Sequence, residues 1–146
     1  MSAHDRDPNC IVCKSIAGEI PSARVLDTAE AYAFLDIHPV NRGHVLIVPK
    51  AHFPNLAALP DNLAAHVASH LPRLCRAVKA ATGADALNVI VNNGAAAGQT
   101  VDHVHWHVIP RFPDDAVHWP WPHQAYEGEA LNRMKLAIES ELNSGS

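Results

Sequence analysis

The chain has 146 residues, enough for about one domain, and its 48% hydrophobic and 18% charged residues suit a globular core that needs no disulfide staples. A formal net charge of -4 excludes a nucleic-acid binder that works through a basic face, though not a small anionic ligand held by a local cluster of donors. Three cysteines, two of them spaced CxxC, do not make a secreted disulfide framework, no apolar run approaches the about 18–20 residues of a membrane span, and the start MSAHDRDPNC lacks a basic-then-apolar leader pattern, so the expectation is a soluble cytoplasmic protein.

Residues 1–9 are polar and expected to be disordered, a single domain is expected over 10–142, and 143–146 read as a loose tail. Ile11 to Ala17 reads as a short helix ended by Gly18. Arg24 to Leu26 and Ala31 to Ile37 read as strands joined by the polar turn Asp27-Thr28-Ala29-Glu30. A loop over 38–43 leads into an apolar strand from His44 to Val48, stopped by Pro49. Asp61 is a good N-cap for a long helix in which Leu63, Val67, Leu71, Leu74 and Val78 recur at helical spacing and Gly83 marks the end. Pro72 falls inside that pattern, at an interior cost of ~3 kcal/mol, and predicts a kink. Leu87 to Val91 is a strand, Asn92 to Gln99 a glycine-containing loop, and Thr100 to Ile109 a strand that Pro110 ends. The Pro- and Trp-rich stretch Pro113 to Pro122 cannot be regular, and Glu129 to Leu142 reads as a final helix with Leu131, Met134, Leu136 and Ile138 as its apolar positions. The sum is an α+β domain: an antiparallel sheet of about five strands with one long helix and a C-terminal helix.

Histidine is the compositional outlier, with 11 residues, and the sharpest pattern is His103-Val104-His105-Trp106-His107-Val108-Ile109. Alternate side chains of a strand share a face, so His103, His105 and His107 are expected on one face, ~6–7 Å apart along it, with Val104, Trp106 and Val108 packed beneath helices on the other. Three imidazoles so placed repel one another if all are protonated. They must share protons, bind a metal or face a polyanion. Two chemistries fit: a catalytic zinc site of the His₃ type, and an imidazole nucleophile attacking phosphorus with its neighbours as proton partners. Spacing alone does not decide between them. Just upstream, the glycines of Asn92 to Thr100 let backbone approach a ligand, and its amides and hydroxyl donate hydrogen bonds without adding charge, which suits phosphate oxygens. Cys10 and Cys13 form either part of a metal site that needs two more ligands, a buried pair, or a redox motif. Cys75 has no partner in sequence and reads as core, and the i,i+4 pair His66 and His70 as a solvated face.

The segment from Gly98-Gln99-Thr100 through His103-Val104-His105-Trp106-His107-Val108-Ile109 resembles the signature of the histidine-triad (HIT) family. Cys10-Ile11-Val12-Cys13-Lys14, Gly18-Glu19-Ile20-Pro21-Ser22-Ala23, Ala33-Phe34-Leu35-Asp36-Ile37 and Gly43 through His52 fall in the family's order and spacing, so the resemblance runs from about Cys10 to Arg111. It implies a HIT-like fold, usually a homodimer, and a purine-nucleotide hydrolase or nucleotidyl transferase acting at the α-phosphorus of AMP conjugates, with small purine nucleotides such as AMP or GMP as ligands and neither nucleic acid nor membrane as partner. His105 matches the nucleophile that forms a nucleotidyl-histidine, His107 the histidine that contacts the phosphate and leaving group, and His44 the fourth active-site histidine; His103 is the first of the triad. Asp36 falls where the family holds the ribose, and Asn92, Gln99 and Thr100 match phosphate-contacting positions. Ile16, Phe34 and Ile37 are candidates for a purine wall.

A subset of the family with an N-terminal CxxC binds a structural zinc, and its ligands match Cys10, Cys13, His52 and His103 here. No catalytic metal is implied, and a His103 committed to zinc would not serve proton transfer. One branch, the Hint proteins, ends in a similar His-Trp-Pro, which makes Trp119 and Trp121 candidates for dimer or leaving-group contacts.

Overall fold

The computed structural model describes residues 6–118 and 120–144. Five antiparallel strands, β1 (Arg24–Asp27), β2 (Ala31–Leu35), β3 (Val45–Pro49), β4 (Ala86–Val91) and β5 (Trp106–Arg111), lie in the order β1-β2-β3-β5-β4. Helices α1 (Ile11–Ile16), α2 (Asp61–Ala68), α3 (Leu71–Thr82) and α4 (Ala130–Asn143) complete the α+β domain, with short 3₁₀ turns at Leu56–Ala58 and Ala95–Ala97.

The period of two in the strands sorts their side chains between two faces. On one, Ala31, Ala33 and Leu35 of β2, Val45 and Ile47 of β3, and Trp106 and Val108 of β5 meet Val67 of α2, Leu74 and Val78 of α3, and Ile138 and Leu142 of α4 in the main core. On the other, Tyr32 and Val48 pack with Cys10, Val12 and Cys13 around α1, joined by Phe34 and Ile16. The register places Phe34 opposite Leu46 and Leu46 opposite His107, so His107 belongs to this second face. The functional candidates therefore gather where a single short helix covers the sheet.

Several boundaries differ from the sequence reading. The long helix is two helices: α2 ends at Ala68, and Pro72 stands in the first turn of α3. There its missing N–H has no intrahelical partner to lose, so the proline starts a helix instead of bending one. Pro60, not Asp61, is the N-cap of α2, and Asp61 lies in the first turn, where its carboxylate meets the positive helix end. The histidine strand begins only at Trp106, because the Val104 N–H bonds to the Phe53 carbonyl instead of joining the ladder. His103 and His105 thus ride on the irregular lead-in, and only His107 is in the strand; Val104, Trp106 and Val108 still pack into the main core as expected. Pro110 does not end β5, which continues to Arg111. Pairing with β3 has already stopped at Val108, opposite Val45, so β5 is an edge there and tolerates a proline. In α4, Leu136 is 52% exposed and lies outside the core.

At the N-terminus, 1–5 lie outside the described residues, while Arg6 pairs with Glu19 at 2.6 Å and Asp7 donates its backbone N–H to Cys13 Sγ at 3.4 Å. Ser144 caps the end of α4, and 145–146 lie outside the described residues.

Candidate active site and metal centre

Two clusters meet along the stretch from His103 to His107. The first gathers Cys10, Cys13, His52 and His103, whose ligand atoms all lie within 4.8 Å of one another. Cys10 is the N-cap of α1, and its sulfur accepts the Cys13 N–H at 3.4 Å, so the helix start folds both sulfurs to one side. His52 follows the end of β3 and His103 precedes β5. His103 Nε2 lies 2.8 Å from the Pro49 carbonyl. A carbonyl only accepts, so the proton sits on Nε2 and Nδ1 offers its lone pair to the cluster. That Nδ1 is 3.5 Å from Cys10 Sγ, 3.6 Å from Cys13 Sγ and 3.2 Å from His52 Nδ1, and Cys13 Sγ is 3.5 Å from His52 Nδ1. Zinc with bonds of about 2.3 Å to sulfur and 2.0–2.1 Å to nitrogen would set tetrahedral edges of about 3.3 Å between nitrogens and 3.5 Å between nitrogen and sulfur. The donor set therefore fits zinc in chemistry and in spacing. Burial holds His103 neutral, with its pKa lowered to about 4, as a ligand must be. Burial also pushes the Cys13 thiol up, so metal entry has to displace its proton.

The second cluster holds His44, His105 and His107. Gly43, at φ +97, turns the chain into β3 where a Cβ would collide with the Thr82 side chain, and this turn delivers His44 to the interior, 1% exposed. The Val40 N–H donates to His44 Nδ1 at 3.1 Å. A backbone N–H cannot accept, so in the neutral ring the His44 proton is on Nε2, which lies 2.9 Å from His107 Nδ1. His107 must then accept on Nδ1 and carry its own proton on Nε2. That Nε2 is buried and finds no hydrogen-bond partner among the described residues. His105 is oriented the other way: its Nδ1 lies 2.7 Å from the His103 carbonyl, so Nδ1 holds the proton and Nε2 keeps a free lone pair. The His105 and His107 rings are 4.9 Å apart, centre to centre. Burial, reinforced by the charge of neighbouring imidazoles, keeps His107 neutral at a pKa lowered to about 3, and pushes His44 well below the ordinary histidine value. The result is one nucleophilic lone pair beside one unpaired N–H donor, fixed by backbone groups.

Asp36 Oδ2 lies 3.9 Å from His44 Nδ1, but this is no ion pair: Nδ1 is occupied by Val40, His44 is neutral, and burial raises the Asp36 carboxyl. Its Oδ1 accepts the His38 N–H at 2.9 Å. Gln99 is buried and fully engaged. Its Oε1 accepts the Gly94 N–H at 2.8 Å, and its Nε2 donates to the Pro54 and Val101 carbonyls at 2.6 and 2.9 Å, so it shapes the loop and has no donor left for a phosphate. Asn92 is half-buried and Thr100 exposed at the two ends of the same loop. Phe34 and Ile16, the last residue of α1, pack against the small cluster around that helix, whereas Ile37 is 55% exposed next to Asp36.

A family model described as the HIT domain matches residues 17–114. The chain belongs to the HIT family. It is 38% identical over 135 residues to the Arabidopsis thaliana protein named adenylylsulfatase HINT3, a match covering 92% of this chain and 64% of that longer relative. It is 38% identical over 148 residues to the Candida albicans protein named adenosine 5'-monophosphoramidase HNT1, covering 97% of this chain and 95% of the relative. A solved structure described as a Zn-bound histidine triad family protein from Mycobacterium smegmatis superposes with a TM-score of 0.81 at 32% identity, over 94% of this chain and 98% of that one.

Within this HIT protein the structure splits the expected triad. His105 and His107 stand together with His44, while the His103 ring turns into the sulfur cluster and gives the histidine row only its carbonyl. Trp121 packs against His107 and His44 at ring separations of 5.2 and 6.5 Å, so a residue of the irregular segment walls the site; Trp119 lies outside the described residues. The groups that sequence reading missed are backbone ones: the Val40 N–H and the carbonyls of Pro49 and His103. No residue type signals them.

Proposed function

We propose that this HIT protein hydrolyses a bond at the α-phosphorus of purine-nucleotide conjugates, AMP phosphoramidates or mixed adenylates first among them, through a nucleotidyl intermediate on His105. The observation that carries this reading is the opposed pair of tautomers, a bare Nε2 on His105 beside an unpartnered Nε2–H on His107. The His105 lone pair attacks phosphorus and the bond to the leaving group breaks with its electron pair. The ring becomes cationic, and its Nδ1–H, held by the His103 carbonyl, spreads that charge toward an acceptor already in place. The neutral His107 Nε2–H donates to a phosphoryl oxygen or the departing atom, stabilising charge that grows in the transition state. Water then attacks the phosphorus, its proton making good the one taken up by the departed group, and the bond to His105 breaks with its electron pair returning to Nε2, which restores the neutral ring. Asp36 is assigned to the ribose hydroxyls, and Asn92 and Thr100 to phosphate oxygens. The two relatives' names, for an adenylylsulfatase and an adenosine monophosphoramidase, support the substrate class.

Zinc on Cys10, Cys13, His52 and His103 is assigned a structural role, tying α1 to the end of β3 and the lead-in of β5; all four protein ligands are spoken for, which leaves no open position for substrate. A homodimer and a cytoplasmic location complete the proposal.

The test is intact mass after brief incubation with an adenosine phosphoramidate, quenched without acid because the phosphorus–nitrogen bond is acid-labile. Wild type and His107→Ala are expected to carry one AMP, more of it in the variant, which turns the adduct over slowly. His105→Ala is expected to carry none while retaining zinc. No adduct, with hydrolysis lost on chelation and on His105→Ala together with the metal, would replace this reading with a metal hydrolase. Binding of AMP with neither adduct nor turnover would replace it with a nucleotide-binding protein.

A further inference from the structure

The histidine arrangement depends on the setting of one peptide group. The Val40 N–H, 3.1 Å from His44 Nδ1, decides which nitrogen of His44 carries the proton and so the direction of the His44–His107 hydrogen bond. That N–H shares a rigid plane with the Pro39 carbonyl, and across a trans peptide the two point in opposite directions. On the far side, the Pro39 carbonyl accepts the backbone N–H of Gln124 at 2.7 Å. The Gln124 side chain grips the next peptide, its Nε2 donating to the Val40 carbonyl and to Asn41 Oδ1, each at 3.0 Å. Two neighbours reinforce the hold. The Tyr126 hydroxyl accepts the Gly43 N–H at 2.8 Å, and His123 Nδ1 lies 3.1 Å from the His38 carbonyl. A segment without regular structure therefore brackets the whole turn that leads into His44.

We propose that the Gln124 side chain is a positioning group for the reaction: by clamping the Val40 carbonyl and the Asn41 side chain it keeps the turn seated against the Gln124 backbone N–H that holds the Pro39 carbonyl, so that His44 keeps its Nε2–H tautomer and His107 keeps its own Nε2–H directed into the site. The alternative is already close at hand. If the Val40 N–H turns away, His44 Nδ1 takes up the proton and donates it toward the Asp36 carboxylate, now 3.9 Å away. His44 Nε2 then becomes an acceptor, and His107 must donate from Nδ1 to meet it. The proton leaves His107 Nε2, and a lone pair faces the phosphate where a donor stood. Two internally consistent hydrogen-bond chains thus exist. Gln124 selects the one that stabilises negative charge. The inference rests on the proposed function only for its kinetic consequence; the tautomer is a property of the chain alone.

The test is long-range ¹H–¹⁵N spectroscopy of the full chain labelled at its histidines, for wild type, Gln124→Ala and Gln124→Met, the last of similar length without the donors. Gln124 lies at the surface, so both variants are expected to fold. In wild type, His44 is expected to show a bare Nδ1 and a protonated Nε2. In both variants the His44 and His107 signals are expected to move toward a mixture of tautomers, and kcat for an adenosine phosphoramidate to fall about five- to tenfold, the low end of the worth of two neutral hydrogen bonds, with KM changed less than about twofold. His44 remaining a single Nε2–H tautomer in both variants overturns the proposal, as does a loss that falls on KM with kcat intact. A wild-type chain that turns over no AMP conjugate would sink the function proposed above, and the tautomer signals would still decide the role of Gln124.

Discussion

At the scale of single residues, side-chain identity and side-chain role separate most clearly at Gln99. Its place beside the histidine stretch makes it a natural phosphate contact, yet the fold spends every donor and acceptor it has on the loop from Gly94 to Val101 and on Pro54. Gln99→Ala is expected to cost about 2 kcal/mol of stability, because it leaves the Gly94 N–H and two carbonyls short of partners in a buried place. Urea unfolding measures that cost. A residue that only touched substrate would leave the unfolding midpoint where it is and change kinetics alone. His103 teaches a related lesson. The alternation of the triad is plain in the sequence, but which imidazoles share a function depends on rotation about a few bonds of the lead-in, and on the Phe53 carbonyl that captures the Val104 N–H. The sequence singles out His44, His105 and His107, and the structure brings the three rings together. The tautomers were not legible in the sequence, since they are set by main-chain groups that every residue possesses.

At the scale of elements, apolar periodicity located all five strands and the helical segments, because burial of one face is what the pattern encodes. It failed where a single residue changes what the backbone can do. Helical spacing runs unbroken from Leu63 to Val78, since α2 and α3 both press on the sheet, and only the chain between them departs from the helix. Pro72 then marks a beginning. The two readings of this proline predict different energetics. A proline forced into a helix interior costs ~3 kcal/mol, and Pro72→Ala would recover much of that. In the first turn of α3 no intrahelical bond is lost, and proline also restrains the unfolded chain. Pro72→Ala is therefore expected to change stability by less than about 1 kcal/mol, in the destabilising direction. A gain of 2 kcal/mol or more by urea denaturation would show that the proline is strained where it stands.

At the scale of the whole molecule, the sheet works as a partition. One face carries three helices and the bulk of the apolar core; the other carries α1, the sulfur cluster and the histidines. The arrangement buries imidazoles that must stay uncharged, and that requirement has a thermodynamic signature. In the folded chain His107 is held neutral by burial down to about 3, and His44 is likewise pushed well below its ordinary value. Unfolded, each protonates near 6.5. Between these limits the unfolded chain binds more protons than the folded one, so stability is full above about pH 6.5 and is lost as pH falls toward the folded values. Each such histidine adds up to about 1.4 kcal/mol per pH unit to that slope. The Asp36 carboxyl, raised by burial, pulls in the opposite direction, and any zinc held by the sulfur cluster would add a proton dependence of its own. Comparing wild type with His107→Asn removes both to first order, since each is common to the two chains. Unfolding free energies measured from pH 7.5 down to 5.5 are expected to fall less steeply in His107→Asn, by up to the contribution of one histidine below pH 6.5. Parallel slopes would mean that His107 takes up a proton within the fold, and the neutral donor assigned to it would have to be replaced by a cation.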